Sequence, residues 1–118
     1  PIYELCAKED HIAPAKSVFI GSKLFGGQVT YVLAGSGHIA GVINPPGDRV
    51  KYQYWTNDKK TATLEAWLES ATEHPGSWWP NYAEWLAKHS GAKVPPRTPG
   101  ATLGAIEDAP GSYVKTKS

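Results

Sequence analysis

The chain has 118 residues and a net charge of +1, with 12 Lys and Arg against 11 Asp and Glu. That length predicts one domain around one modest core, and the balanced charge speaks against an electrostatic nucleic-acid binder or a polybasic membrane patch. A single cysteine excludes an internal disulfide framework and a multi-cysteine zinc site, and no apolar run approaches the ~20 residues of a membrane span.

Ile2 to Ala7 is short and mostly apolar and runs into Lys8-Glu9-Asp10, which predicts a buried strand ending in a polar loop. Pro1 precedes it and no Met occurs anywhere, so the sequence reads as a cut or processed piece. From Ala15 to Phe25 the residues Val18, Phe19, Leu24 and Phe25 fit one helix face, with Pro14 at the start and Gly26-Gly27 at the end. Gln28 to Ala34 alternates, carries Val29, Tyr31 and Val32, and reads as a second strand running into Gly35-Ser36-Gly37-His38. Strand, helix, strand with short loops is a βαβ unit, whose strands are parallel. Ile39 to Ile43 is a short apolar turn stopped by Asn44-Pro45-Pro46-Gly47, and residues 48–62 read as a long ordered loop holding Tyr52, Tyr54 and Trp55. Leu64 to Ala71 fits a short helix with Leu64, Trp67, Leu68 and Ala71 on one face and Thr63 or Thr61 as cap. After the turn Glu73-His74-Pro75-Gly76, Ser77 caps a helix from Trp78 to about Ser90, and Gly91 stops it. The apolar stripe of that helix is Trp78, Trp79, Tyr82, Trp85 and Leu86, a spacing that says core packing. From Ala92 the chain becomes an extended tail, anchored by Leu103 to Ile106 and by Tyr113-Val114.

Asp10 follows the first strand and His38 the second. Parallel strands put both C-terminal ends on one sheet edge, where open α/β sheets place their ligands. A carboxylate that accepts from one imidazole nitrogen fixes the tautomer and frees the other nitrogen to take a proton from a nucleophile. Spacing alone leaves an alternative standing: a turn Asp that caps a helix and a loop His hydrogen-bonded to backbone. Gly35-Ser36-Gly37-His38-Ile39-Ala40 imitates a dinucleotide fingerprint, but Pro45-Pro46 ends any helix after about one and a half turns, too soon to hold a pyrophosphate. The glycines instead let the backbone turn so that His38 projects. Cys6 lies inside an apolar strand and reads as a buried structural thiol. No G-x-S-x-G or G-x-C-x-G occurs, so a nucleophile for Asp10 and His38 is not in this chain. His11 adjoins Asp10 and is either a substrate contact or a plain surface-loop His. His74 and His89 lack partners at metal-ligand spacing, so no metal site is expected.

Lys8-Glu9-Asp10-His11-Ile12-Ala13-Pro14 resembles the R-E-D-H-I-V-P segment of class I polyhydroxyalkanoate synthases, the poly(3-hydroxybutyrate) polymerases. Ser36 to Pro46 matches their S-G-H-I-A-G-V-I-N-P-P, and Tyr54-Trp55-Thr56-Asn57, Glu73 to Pro80 and the stretch from Ile106 to Val114 are similar to further signatures. The likeness runs through essentially the whole chain. It departs at Lys8, where Arg is common, at Ala13, where Val is common, and at Cys6, where a small residue is usual. The resemblance implies an α/β-hydrolase-type fold. Residues 1–91 would be the C-terminal part of that catalytic domain, holding its last two parallel strands with their crossover helix and then two helices. Residues 92–118 would be an extended Pro/Gly-rich tail. One strand edge is then left for the rest of the domain to cover. It also implies a Cys-His-Asp triad with Asp10 as acid, His38 as base and the Cys outside this chain. The implied substrate is an (R)-3-hydroxyacyl-CoA, most simply 3-hydroxybutyryl-CoA. The growing polyester and the rest of the synthase are the implied partners, with no bound cofactor, and dimers and cytoplasmic granule surfaces are implied for the full enzyme. An esterase or depolymerase of the same fold, or a non-catalytic granule-docking module, are the rival readings.

Overall fold

Ile2–Ala7 forms β1 and Val29–Ala34 forms β2, and the two lie parallel, from Ile2 opposite Val29 to Ala7 opposite Ala34. The structure is a computed structural model, and it describes residues 1–117. Between the strands, Ala15–Ser22 forms α1. The predicted βαβ unit is therefore present. Pro14 stands just outside the helix, where its extended ψ turns the chain into the first turn. The helix stops at Ser22, short of the expected Phe25. Its last turn tightens: Ser22 Oγ donates to the Phe19 carbonyl at 2.7 Å, and Leu24 N–H reaches back only to Gly21. Leu24 and Phe25 are consequently exposed rather than packed.

The stretch expected to be a loop contains β3, Gln53–Thr56, antiparallel to β2, and the expected turn at Glu73 is β4, Thr72–Pro75, antiparallel to β3. The result is a mixed four-stranded sheet in the order β1-β2-β3-β4. Between the last two strands lies α2, Leu64–Glu69. Thr63 caps it, its hydroxyl accepting from Ala66 N–H, and Asn57 Nδ2 donates to the Trp67 carbonyl at 2.8 Å near its far end. Helix α3, Trp79–His89, follows β4, and Ser77 Oγ accepts the Trp79 N–H at its start.

Strand alternation divides the side chains between two faces. On one, Cys6, Tyr31, Leu33 and Trp55 meet Phe19 of α1 and Trp67 of α2 and form the buried core. Phe19, Tyr31 and Trp67 pack edge to face, with Tyr31 and Trp67 centroids 5.1 Å apart. On the other, Tyr3 receives Trp78 and the α3 residues Tyr82 and Trp85, and its hydroxyl donates to Asn81 Oδ1 at 2.9 Å. This second layer is thinner than the stripe predicts: no residue of α3 is buried. The tail corrects another expectation. Its proposed anchors, Leu103, Ile106, Tyr113 and Val114, all stand in solvent, Leu103 with 96% of its surface open. Among the described residues no helix is long and apolar enough to cross a membrane.

Candidate active site

The two loops that leave β1 and β2 run side by side. The ladder continues past the strands, with Lys8 N–H donating to the Ala34 carbonyl at 2.7 Å and Glu9 N–H to that of Ser36 at 3.0 Å. This brings Asp10 and His38 together: His38 Nδ1 lies 2.7 Å from Asp10 Oδ2. The other carboxylate oxygen, Oδ1, accepts the N–H groups of Ile12 at 2.8 Å and Ala13 at 2.9 Å. Asp10 thus serves two partners, one on each oxygen, His38 and the backbone of its own loop, while the cap position of α1 is held by Pro14.

These bonds favour the ionised carboxylate. The Ala13 amide makes the largest contribution, with His38 and Ile12 adding to it, and together they bring Asp10 down to about 2. An ionised carboxylate only accepts, so Nδ1 of His38 donates to it and Nε2 is left free. Asp10 is nearly covered, with 6% of its side chain accessible, whereas His38 keeps 46% open. The carboxylate is held in protein while the imidazole faces outward, an arrangement that can take a proton from a group arriving from outside.

The backbone turn before His38 is made differently from the expectation. Ser36, not a glycine, takes the left-handed conformation, with φ of 70°. Gly35 serves close approach: a Cβ there would sit 2.9 Å from the Gln53 carbonyl oxygen, to which Gly35 N–H donates at 2.7 Å. After His38 the chain makes one helical turn, Gly41 N–H bonding to Gly37 and Ile43 N–H to Ile39. Gly41 is buried under the strand ends, where a Cβ would lie 2.6 Å from the Gly35 oxygen and 2.9 Å from Ala7 Cβ.

The remaining candidates stand as follows in the structure. Cys6 is buried, its Sγ 2.7 Å from Tyr31 Oη, and burial pushes its thiol up to about 12. It is a packing residue, as expected, and not a thiolate at neutral pH. His11 is exposed on the Asp10 loop. His74 bonds Thr56 Oγ1 at 2.8 Å and stacks on Tyr54, joining β4 to β3, and His89 bonds the Trp85 carbonyl within α3.

No protein-family model matches the chain. Over its whole length, however, it is 57% identical to the poly(3-hydroxyalkanoate) polymerase subunit PhaC of Rhizobium etli and 56% identical to that of Rhizobium meliloti. The subunit of the same name from Cupriavidus necator is 45% identical, again across all of this chain. The chain is thus similar, from end to end, to one segment of poly(3-hydroxyalkanoate) polymerases. It covers 19% of each Rhizobium polymerase and 20% of the Cupriavidus one, so it spans about a fifth of the length of these relatives.

Sequence reasoning missed one set of residues near the Asp10–His38 pair. The indole N–H groups of Trp78 and Trp79 reach the turn that carries His38: Trp78 lies 3.1 Å from the Gly41 oxygen and 3.2 Å from that of Val42, and Trp79 lies 3.0 Å from that of Val42. The buried Asn44 donates its Nδ2 to the Lys51 carbonyl and ties down the Pro-Pro loop that follows. The signal available was that a covered indole N–H needs an acceptor. Which carbonyl it finds is set by tertiary packing.

Proposed function

We propose that this segment supplies the acid and the base of a Cys-His-Asp triad in a polymerase that joins (R)-3-hydroxyacyl units from their CoA thioesters into polyester. The observation that carries the reading is the bond of 2.7 Å between His38 Nδ1 and the Asp10 carboxylate at the shared end of two parallel strands. The names of the relatives give the chemistry its direction. We take β1, α1 and β2 as the closing βαβ unit of an α/β-hydrolase-type domain whose earlier strands, and whose cysteine, lie elsewhere in the polymerase.

In this cycle the cysteine thiol gives its proton to His38 Nε2 and attacks the thioester carbonyl. The bond to CoA sulfur breaks, the departing thiolate takes the proton from the imidazolium, and the acyl group remains on the cysteine. Nε2 next accepts the proton of a 3-hydroxyl on a second unit or chain end. The resulting alkoxide attacks the acyl-cysteine, forms the ester and releases the cysteine thiolate, which recovers the proton. Asp10 holds the imidazole in the required tautomer and balances its charge when protonated. No cofactor enters; CoA is a product. The insoluble product places the working enzyme at granule surfaces.

In the full-length polymerase, His38→Ala abolishes CoA release from 3-hydroxybutyryl-CoA, and Asp10→Asn lowers it by about three to four orders of magnitude. Near-normal release by either variant rules the assignment out.

A further inference from the structure

His38 is held by one side-chain bond, to Asp10, and the rest of its orientation comes from the backbone turn that follows it. That turn is short. Asn44-Pro45-Pro46 allows no further helical bonding, because proline brings no N–H, so the carbonyls at its end have no helix to receive them. The Gly41 and Val42 oxygens instead accept the indole N–H groups of Trp78 and Trp79, which follow β4 in the chain. The two indoles stand at the start of α3, rigidly placed: Pro80 follows them, Ser77 bonds the Trp79 N–H, and Trp78 lies against Tyr3 and Tyr82. Trp79 is partly exposed and belongs to no core cluster. Its indole N–H and that of Trp78 converge on one turn, which is more than packing requires.

We propose that Trp78 and Trp79 are positioning residues for His38, their indole N–H groups clamping the Gly41–Val42 carbonyls so that the turn holds Nε2 toward the reacting thiol and hydroxyl. The proposal rests on the assignment of His38 as the base. A misplacement of about 1 Å at a proton-transferring group costs on the order of a hundredfold in rate.

The test uses the full-length polymerase and replaces each tryptophan by 3-benzothienylalanine, which keeps the ring's shape and removes the N–H. Trp79→Phe, at the more exposed position, is the genetic counterpart. The expected result is a fall in kcat of about 10- to 100-fold for the doubly replaced enzyme, with KM for 3-hydroxybutyryl-CoA and the melting temperature close to wild type. Trp79→Phe is expected to show the same kcat-only loss in smaller degree. His38→Ala is run in parallel. If His38→Ala is inactive while the doubly replaced enzyme keeps wild-type kcat, the clamp is overturned and the dyad stands. If the losses appear in KM or in melting temperature with kcat retained, the tryptophans are packing residues and the clamp is likewise overturned. If His38→Ala remains active, the reading of the site fails first and takes the clamp with it.

Discussion

Asp10 divides its two oxygens between two tasks, and the division sets its acidity. Oδ1 closes the loop through Ile12 and Ala13, and Oδ2 aligns His38. Every one of these bonds is made to the ionised form, so the folded carboxyl titrates at about 2 instead of the ordinary 3.8. The sign follows: what the carboxylate contributes to the loop and to His38 is complete above pH 3.8 and fades as the pH falls toward about 2. The amide resonances of Ile12 and Ala13 are therefore expected to titrate together near pH 2, and not at all in Asp10→Asn. A midpoint at the ordinary carboxylate value would show that the loop bonds are absent in solution. Ser36 makes a second point at this scale. Its positive φ lets a non-glycine residue turn the chain into the His38 loop, a burden that glycines bear more cheaply.

Among the elements, α1 and α2 carry the stability because they close the only core cluster found among the described residues. Trp67, 2% exposed, is its centre on the α2 side. Trp67→Ala is expected to destabilise by about 3–5 kcal/mol in denaturant unfolding, whereas Leu103→Ala in the tail should stay within about 0.5 kcal/mol. The β1–α1–β2 unit was legible from its alternation, helix spacing and glycine stops, and the rule that parallel strands share an end then placed Asp10 beside His38. β3 and β4 were not legible. Gln53–Thr56 buries only Trp55 and sits in polar sequence, so pairing with β2 makes it a strand. Thr72–Pro75 lies at the sheet's rim, where proline is tolerated, and its composition reads as a turn. The indole clamp was hidden for a related reason: its acceptors lie 36 and 37 residues away in the chain, and only the assembled sheet brings them near. The tail misled in the opposite direction. Local apolar residues suggest an anchor, but Leu103, Ile106, Tyr113 and Val114 all stay exposed.

Taken whole, the molecule is spread out. Its radius of gyration is 19.0 Å, against roughly 13 Å for a compact chain of this length. The dyad is open on one side, α3 is half in solvent, and the single thiol is locked in the core. The 118-residue chain by itself is expected to release no CoA from 3-hydroxybutyryl-CoA. Turnover by a homogeneous sample would point to Cys6 and contradict its burial. The two borders of the sheet also differ. β4 carries Glu73 and Pro75, a charge and a missing donor, which discourage further pairing. β1 has six residues with mostly apolar side chains, and its one charge, Glu4, has a carboxyl oxygen covered without a partner. Along that border a row of backbone donors and acceptors faces outward. Kept alone at high concentration, this protein should therefore behave as a templating surface. Its turbidity and fibre formation would be governed by the open backbone of β1 and not by the tail.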